Sequence, residues 1–419
     1  MKFFFNILLT LIIKIESSYI KLPFKKFSTY QKETNYIDYL EKNDIVIIFE
    51  IGTPYQSIPI FINFELYSFY ISGQKLNGKY NENMSSSLIQ KKQKSYFYSE
   101  VIREGYESKD KFKLNDLSNK EIIINDLNFI IPTKINEYKI NNFIESSLGL
   151  KIQDSPDIKN FGFLYNLKEK EIIDSYGWTI NYLNNEEGEL IIGGYPHEYD
   201  KKYDISKFKN TKAETRGAQV YWDLRFQYFL SNKQNFRYFN GQFDITFGFI
   251  QANFIYKDYI INEFFQFKKS CMNYNNSKYD YFICDSNENI SDFPSLLLNN
   301  KELNFSFEFN YKDLFIQKDN QIYFLIVFRI EYSGIEYWIL GKPFFKKYQL
   351  VFESDRKLIG IYIGKEKNQL NVSWIIVFVL FIILIILIIY IINKYKNLPK
   401  KIKANELLEQ MDSPFLNSI

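Results

Sequence analysis

Two short stretches of the chain carry the residue types that could activate water. Asn63 precedes Glu65 by two residues, and Asp244 precedes Thr246 by two. Side chains two apart on a strand point to the same face, so each carboxylate shares a face with an amide or a hydroxyl. Two facing carboxylates can share one proton, so that one is an acid and the other a base. An amide and a hydroxyl provide no base of suitable pKa.

The two ends of the chain predict a secreted, membrane-anchored protein. Residues 1–18 combine an early Lys, an apolar run and two serines, which is typical of a secretory signal peptide. Residues 372–392 carry no charge, and about 20 apolar residues span the core of a bilayer. Lysines are frequent in residues 393–419, which predicts a cytoplasmic tail. We therefore expect a single-pass type I protein of the secretory pathway or the cell surface.

The only two cysteines are Cys271 and Cys284. In a secreted protein, an isolated pair at this distance predicts one disulfide. Its closed loop of about 14 residues would stabilise the fold by about 3 kcal/mol in the loop-entropy model. The Cα atoms of a bridged pair should lie about 4.4–6.8 Å apart. His197 is the only histidine, so too few ligands remain for a metal site, and we predict neither a metal nor another cofactor.

Charge and sequons indicate what surrounds the chain. The net charge is +3 and the basic residues are scattered, so no nucleic-acid footprint is present. Asn-X-Ser sequons are consistent with lumenal exposure, although such triplets arise often by chance in an Asn-rich chain. We expect the sequon next to the predicted membrane span to be unmodified. The sequons begin at Asn83, Asn275, Asn289, Asn304 and, beside the span, Asn371.

The sequence pattern of the lumenal part predicts a mostly β structure. Short β-branched and aromatic runs are separated by Gly, Pro, Asn and Asp, and no repeat of about 20–50 residues is visible. Residues 164–173 and 257–267 are the two predicted helices. About 350 lumenal residues are enough for two lobes of ordinary size. The predicted strands are residues 45–51, 58–64, 121–131, 189–192, 323–332 and 350–363.

Several motifs, in this order and spacing, resemble those of pepsin-like aspartic proteases. The resemblance implies a bilobal β fold, with a prosegment-like stub at residues 19–40 and lobes at 41–205 and 206–366. The apolar run at 372–392 adds a C-terminal transmembrane helix to this fold. The break between the lobes should lie near residues 200–215. The motifs are Ile51-Gly52-Thr53-Pro54, Glu145-Ser146-Ser147-Leu148-Gly149-Leu150, Gly188 to Gly194, Tyr221-Trp222 and Trp338-Ile339-Leu340-Gly341.

The same resemblance assigns the catalytic positions and the flap. Asn63 and Thr246 stand where the family carries its two catalytic Asp residues. Phe64 replaces the hydroxyl-bearing residue beside the first position, and Glu65 replaces a Gly. The flap tyrosine corresponds to Tyr98. Because neither position keeps a carboxylate, the resemblance implies a loss of catalysis rather than a working dyad.

Three functions remain open at this stage. The first is an inactive, membrane-anchored protein that binds extended peptide or protein in the cleft between the lobes. The second is an active aspartic endopeptidase, for example with a shifted dyad of Glu65 and Asp244. The third is a structural surface glycoprotein, because a fold alone does not determine function. The ligand and the oligomeric state are not determined by the sequence.

Overall fold

A computed structural model of the 419-residue chain divides it into two compact units, Met1–Gly364 and Lys365–Ile419. Residues 1–18, the predicted signal peptide, lie outside the described residues, as do Glu65, Tyr98, Asn371 and the predicted tail at 393–419. The structure describes residues 19–27, 36–64, 66–96, 102–117, 121–135, 146–152, 161–216, 219–230, 233–266, 270–330, 337–364 and 380–392.

The first unit is built mainly from two large sheets. The first sheet has 13 strands in the order β11-β26-β25-β9-β10-β1-β2-β3-β8-β4-β7-β6-β5. Its strands are β1 Ile20–Lys26, β2 Ile45–Ile51, β3 Gln56–Asn63, β4 Phe69–Tyr70, β5 Ile89–Ser95, β6 Ile102–Asn115, β7 Glu121–Ile135, β8 Ser146–Gly149, β9 Gly177–Tyr182, β10 Glu187–Ile192, β11 Phe208–Lys212, β25 Leu350–Glu353 and β26 Leu358–Tyr362.

The second sheet has 11 strands, ten of them in the order β20-β19-β14-β15-β24-β16-β23-β18-β22-β21, with β17 paired to β18. Two short strands, β12 Thr215–Arg216 and β13 Gln219–Val220, form a separate ribbon, which lies between β11 and β14 in the sequence. The strands of the second sheet are β14 Asp223–Leu230, β15 Lys233–Phe243, β16 Ile250–Asn253, β17 Cys271–Asn275, β18 Tyr279–Asp285, β19 Leu296–Asn300, β20 Phe305–Phe309, β21 Phe315–Lys318, β22 Gln321–Phe324, β23 Ile326–Arg329 and β24 Tyr337–Leu340.

The two sheets repeat one topology, which defines two lobes. In the first, β3 pairs in parallel with β8, β8 pairs antiparallel with β4, and β4 pairs in parallel with β7. In the second, β15, β24, β16 and β23 repeat this sequence of parallel, antiparallel and parallel pairings. The segments that carry Asn63 and Thr246 therefore occupy equivalent places, one in each lobe. Strands β25 and β26 return to the first sheet although they follow the second lobe in the chain.

Helices are short and lie mostly at the ends of strands. The segment after β1 forms α1, whose Ile37 and Leu40 are buried, and α7 lies in the second unit. The α-helices are α1 Tyr36–Glu41, α2 Phe163–Glu169, α3 Pro196–Tyr199, α4 Lys257–Phe264, α5 Tyr311–Leu314, α6 Lys342–Lys347 and α7 at residues 380–392; the 3₁₀ turns are Gln74–Leu76, Glu82–Met84, Ile205–Lys207, Phe254–Tyr256 and Ile290–Asp292.

The predicted prosegment-like stub begins with an integral strand. β1 lies between β10 and β2, and its burial alternates as expected for a strand with one face on the core. Ile20 and Leu22 are each 1% exposed and Phe24 is 3% exposed. Residues 20–26 therefore contribute to the core of the first lobe.

Both predicted helices are present, and both end earlier than expected, at Glu169 and Phe264. Two predicted strands are in fact pairs of strands. Residues 323–332 contain the end of β22 and all of β23, and residues 350–363 contain the hairpin of β25 and β26. Turn residues inside an apolar run are hard to read because the buried side chains continue on both sides.

The predicted C-terminal membrane helix falls partly outside the described residues, at 372–379. The described remainder, α7, exposes apolar side chains such as Leu384 and Ile389. Within the described ranges no helix has the length and apolar character needed to cross a membrane.

Candidate functional site

The first loop, residues 63–66, begins where β3 ends. Asn63 pairs with Gly149 of β8, and its main-chain oxygen accepts a hydrogen bond of 2.7 Å from the N–H of Leu150. Its side-chain Oδ1 accepts a bond of 3.0 Å from the N–H of Leu66. The amide of Asn63 therefore holds the backbone of its own loop, in the manner of an Asx turn.

Phe64 belongs to the hydrophobic core. It is 4% exposed, and its ring lies 4.9 Å from Trp178, 5.6 Å from Phe345 and 6.0 Å from Phe352, with an edge-to-face geometry in each pair. Such aromatic pairs contribute about 0.5–1.5 kcal/mol beyond area burial. The residue next to the first catalytic position therefore stabilises packing and provides no hydroxyl.

The second loop, residues 246–249, follows β15 and is capped by Asp244. Asp244 is 3% exposed, and its Oδ1 accepts bonds of 3.0 Å from the N–H and 2.7 Å from the hydroxyl of Thr246. The N–H of Asp244 donates to the oxygen of Leu340 at 3.3 Å. The carboxylate of Asp244 thus binds its own loop, and Glu65, its predicted partner in a shifted dyad, lies outside the described residues.

Each loop packs on a glycine from a neighbouring strand. A Cβ added to Gly149 would lie 2.4 Å from the main-chain oxygen of Leu66, and one added to Gly341 would lie 2.4 Å from that of Phe247. Real Cβ atoms do not approach backbone oxygen so closely, so both positions require glycine. The predicted motifs Leu148-Gly149-Leu150 and Leu340-Gly341 therefore mark the supports of the two loops.

The lysine after each support also holds its loop through the backbone. The N–H of Lys151 donates to the main-chain oxygen of Leu66 at 2.9 Å, and the N–H of Lys342 donates to the main-chain oxygen of Phe247 at 2.8 Å. The side chain of Lys151 is 6% exposed, with Nζ 4.6 Å from the ring centroid of Tyr67 and 4.8 Å from that of Tyr221. The first loop is thus adjacent to a buried cation held by two aromatic rings.

The other lysine lies in a different environment. Burial and, to a smaller degree, the charge of Lys346 lower the pKa of Lys342 to about 8, while Glu186 acts in the opposite direction. Sequence reasoning missed Lys151 and Lys342. The available signal was a lysine directly after each apolar glycine-containing motif.

The segment after α1 covers the second loop. The N–H of Asn43 donates to the main-chain oxygen of Thr246 at 2.7 Å, and its side-chain Nδ2 donates to the main-chain oxygen of Ile245 at 2.9 Å. The N–H of Gly248 donates to Leu40 at 2.7 Å. Asn43 is 1% exposed. Sequence reasoning did not identify Asn43, because only the tertiary fold brings it to Thr246.

Strands β5 and β6 form the hairpin that the resemblance assigns to the flap, and they bracket Tyr98. Near its base, Asp110 is 1% exposed and accepts hydrogen bonds of 2.5 Å from Tyr80, 2.8 Å from Ser85 and 2.6 Å from Ser87. A buried carboxylate with three hydroxyl donors is satisfied in place. Asp110 therefore stabilises the hairpin.

The predicted disulfide is confirmed. Cys271 and Cys284 are bridged and lie directly opposite each other on β17 and β18. Their Cα atoms are 3.9 Å apart, which is below the predicted range of about 4.4–6.8 Å. Four sequon residues are exposed, namely Asn83, Asn275, Asn289 and Asn304.

No cluster of three or more His, Cys, Asp or Glu side chains suited to a metal ion occurs among the residues that the structure describes. Among the described polar side chains of the two loops, Asp244 binds Thr246 and Asn63 binds Leu66.

Comparisons with known proteins agree with this geometry. The family model described as eukaryotic aspartyl protease matches residues 63–362, and the chain belongs to this family. The crystal structure of conglutin gamma, described as a unique basic 7S globulin from lupine seeds, is similar in fold. It has a TM-score of 0.60 and 10% sequence identity, with 84% of this chain and 96% of that chain covered. No curated protein sequence matches the chain.

Proposed function

We propose that the protein is a catalytically inactive, membrane-anchored member of the family that binds extended peptide or protein segments in the cleft between its lobes. One observation carries this proposal: the two catalytic positions are Asn63 and Thr246, and each side chain bonds its own loop. A groove between two lobes is a common place for a peptide to bind, with or without catalysis.

The lost chemistry follows from the side chains. Hydrolysis by this fold requires one ionised and one protonated carboxylate facing a shared water. The side-chain amide of Asn63 does not ionise near neutral pH, and the hydroxyl of Thr246 donates to Asp244. Phe64 fills core space where a polar neighbour would orient a carboxylate. Changing Asn63 or Thr246 alone to Asp would therefore leave Phe64 and the other residues around the two loops unchanged.

Membrane anchoring and secretion form part of the proposal on the strength of the sequence. Residues 1–18 have the pattern of a signal peptide, and residues 372–392 are uncharged and followed by lysines. Adding a protease to sealed vesicles that contain the full chain would test the orientation. We expect an epitope at residue 419 to be cleaved and an epitope at residue 19 to be protected when the cytoplasmic face is outward.

An activity assay tests the loss of catalysis. The purified full chain is incubated with a denatured protein substrate from about pH 3 to pH 7, the range over which carboxylates ionise. We expect no cleavage, and also none from the double variant Asn63→Asp, Thr246→Asp. Cleavage that disappears in Glu65→Gln or in Asp244→Asn would establish a shifted dyad and refute the proposal. Cleavage that both variants retain would identify a contaminating protease.

A binding assay separates a peptide receptor from a structural glycoprotein. The probe is an array of random decapeptides, and the variant is Thr246→Trp, which places a bulky ring at the second loop. Leu183→Trp is the matched control because Leu183 is 62% exposed on a turn. We expect Thr246→Trp to reduce capture at least about tenfold and the control to leave it unchanged. Equal capture by both would favour a structural role.

A further inference from the structure

A cavity of about 950 Å³ lies beside α1, and its lining includes residues of both large sheets and Gly248 of the second loop. Tyr36, Tyr39 and Tyr323 line one wall, and their rings are packed together, with Tyr36 5.6 Å from Tyr39 and 4.9 Å from Tyr323. Binding pockets in proteins usually enclose about 300–1,000 Å³. The cavity is therefore large enough to hold several residues of a peptide.

The charge of the lining is predominantly positive. Five lining residues are lysines and three are acidic. Two of the three carboxylates have lysine partners, because Asp313 lies 2.5 Å from Lys347 and Asp319 lies 3.6 Å from Lys318. The third is Glu186. The cavity therefore has more cations than carboxylates to neutralise them.

Two of these lysines converge on one neutral residue. Lys346 donates to the side-chain oxygen of Asn185 at 2.7 Å, and Lys342 donates to the main-chain oxygen of the same residue. Repulsion from Lys346 helps to lower the pKa of Lys342 to about 8. An added carboxylate would relieve this repulsion, so the pair favours an anionic group.

The cavity is also bordered by an open strand edge. All four residues of β21 line it, and β21 pairs only with β22 within the described part of the second sheet. Asp319 and Asn320, both with positive φ, form a two-residue turn between these strands. In such a hairpin, Lys318 and Ile316 bond to β22, and the N–H and C=O of Gln317 point outward. The backbone at Gln317 is therefore available to another strand.

We propose that this cavity binds an extended acidic peptide segment, which adds as a strand to the outer edge of β21 and directs its carboxylates to Lys342 and Lys346. Main-chain bonds at an exposed edge provide affinity, and side-chain pockets provide specificity. The lysines select for acidic side chains, and the tyrosine wall accommodates the residues between them. This proposal does not require the cleft between the two loops to bind a ligand.

The test measures binding of labelled peptides to the purified full chain by fluorescence anisotropy. The probe is an octapeptide that alternates Glu and Val, and its comparison peptide alternates Gln and Val. Two variants probe the site: Lys342→Gln with Lys346→Gln removes the cations, and Gln317→Pro removes the outward N–H. Their controls are Lys201→Gln with Lys207→Gln, two exposed lysines outside the cavity, and Gln317→Ala, which keeps the N–H. Proline is tolerated at an outward-facing edge position, so β21 should remain paired with β22.

We expect the Glu peptide to bind at least about tenfold more tightly than the Gln peptide, because close charge pairs stabilise complexes. The lysine double variant should abolish this preference, and Gln317→Pro should weaken binding about tenfold through the lost main-chain bond. Both controls should bind like the unaltered protein. Equal binding of the two peptides, or equal binding by Gln317→Pro and Gln317→Ala, would overturn the proposal. Unchanged binding in Thr246→Trp would place the ligand in this cavity and outside the interlobe cleft.

Discussion

The two loops at the centre of the molecule share one topology and differ in what surrounds them. The first loop is packed into the core: Phe64 is 4% exposed among aromatic rings, and Lys151 is held between Tyr67 and Tyr221. The second loop is held by polar contacts, with Asp244 capping Thr246 and Asn43 bonding its backbone. Hydrogen bonds hold both loops, and the first loop adds the aromatic packing of Phe64 where the second adds polar contacts from Asp244 and Asn43.

The difference lies in what surrounds the loops, whereas the support beneath them is shared. Both loops keep the glycine support beneath them, Gly149 in the first lobe and Gly341 in the second. The catalytic positions have become members of local hydrogen-bond networks. In this chain the two loops are therefore held by these supports and bonds with no carboxylate at residue 63 or 246.

The largest expected effect is a difference in stability between variants of Phe64 and Phe247, which directly follow Asn63 and Thr246. Phe64→Ala should destabilise the protein by about 3–5 kcal/mol, because it removes a buried ring and leaves a cavity. Phe247→Ala should cost about 1 kcal/mol, since Phe247 is only half-buried. Urea unfolding of both variants measures the difference. Equal losses would mean that the two loops are packed alike.

The glycine supports should behave as a matched pair. Gly149→Ala and Gly341→Ala each force a Cβ against backbone oxygen, and we expect each to destabilise the protein by about 1–3 kcal/mol. Gly248→Ala should cost less, because its nearest contact, the oxygen of Leu40, is 2.9 Å away. Thermal unfolding compares the three. A larger effect at Gly248 would show that α1 constrains the second loop more tightly than β24 does.

Introducing a carboxylate should affect only one loop. Thr246→Asp places a second carboxylate beside buried Asp244, and we expect a loss of about 2 kcal/mol at pH 7. Repulsion raises a pKa of the pair in the folded state, so the folded protein binds more protons and its stability recovers as the pH falls. Asn63→Asp keeps an acceptor for Leu66 and should be nearly neutral. Urea unfolding at pH 4 and pH 7 tests both; a pH-independent loss in Thr246→Asp would contradict this account.

The two lysines should respond with opposite signs. Lys151→Met removes a cation from two aromatic rings and should cost about 1 kcal/mol. Lys342→Met removes a charge whose burial is unfavourable, and it should stabilise the protein by about 1 kcal/mol at pH 7.

Because the pKa of Lys342 is lowered to about 8, the unfolded chain binds more protons between there and its ordinary value of 10.5. The stability of the unaltered protein therefore rises with pH across this window, and the advantage of Lys342→Met should disappear above it. Urea unfolding between pH 7 and pH 11 measures this, with Lys201→Met as an exposed control. A constant advantage would indicate that packing, and not charge, is responsible.

The sequence alone determined the family, the β class and the disulfide. Motifs such as Gly52-Thr53-Pro54 and Leu340-Gly341 are readable because each records a local backbone constraint. Two cysteines in a predicted secreted chain leave one possible intramolecular pairing, and the structure contains it. The assignment of Asn63 and Thr246 to the two catalytic positions also comes from the sequence, through the placement of the motifs, and it stays a prediction.

Only the tertiary structure decided what the replaced residues do. Asn43 and Thr246 are some 200 residues apart, and their contact depends on how β2 follows α1 across the second loop. The same holds for Lys342, whose environment combines α6 with the turn at Asn185. Sequence periodicity reports which face of a strand is buried, but it does not report which distant segment covers that face. Contacts between distant segments therefore had to be seen in the fold.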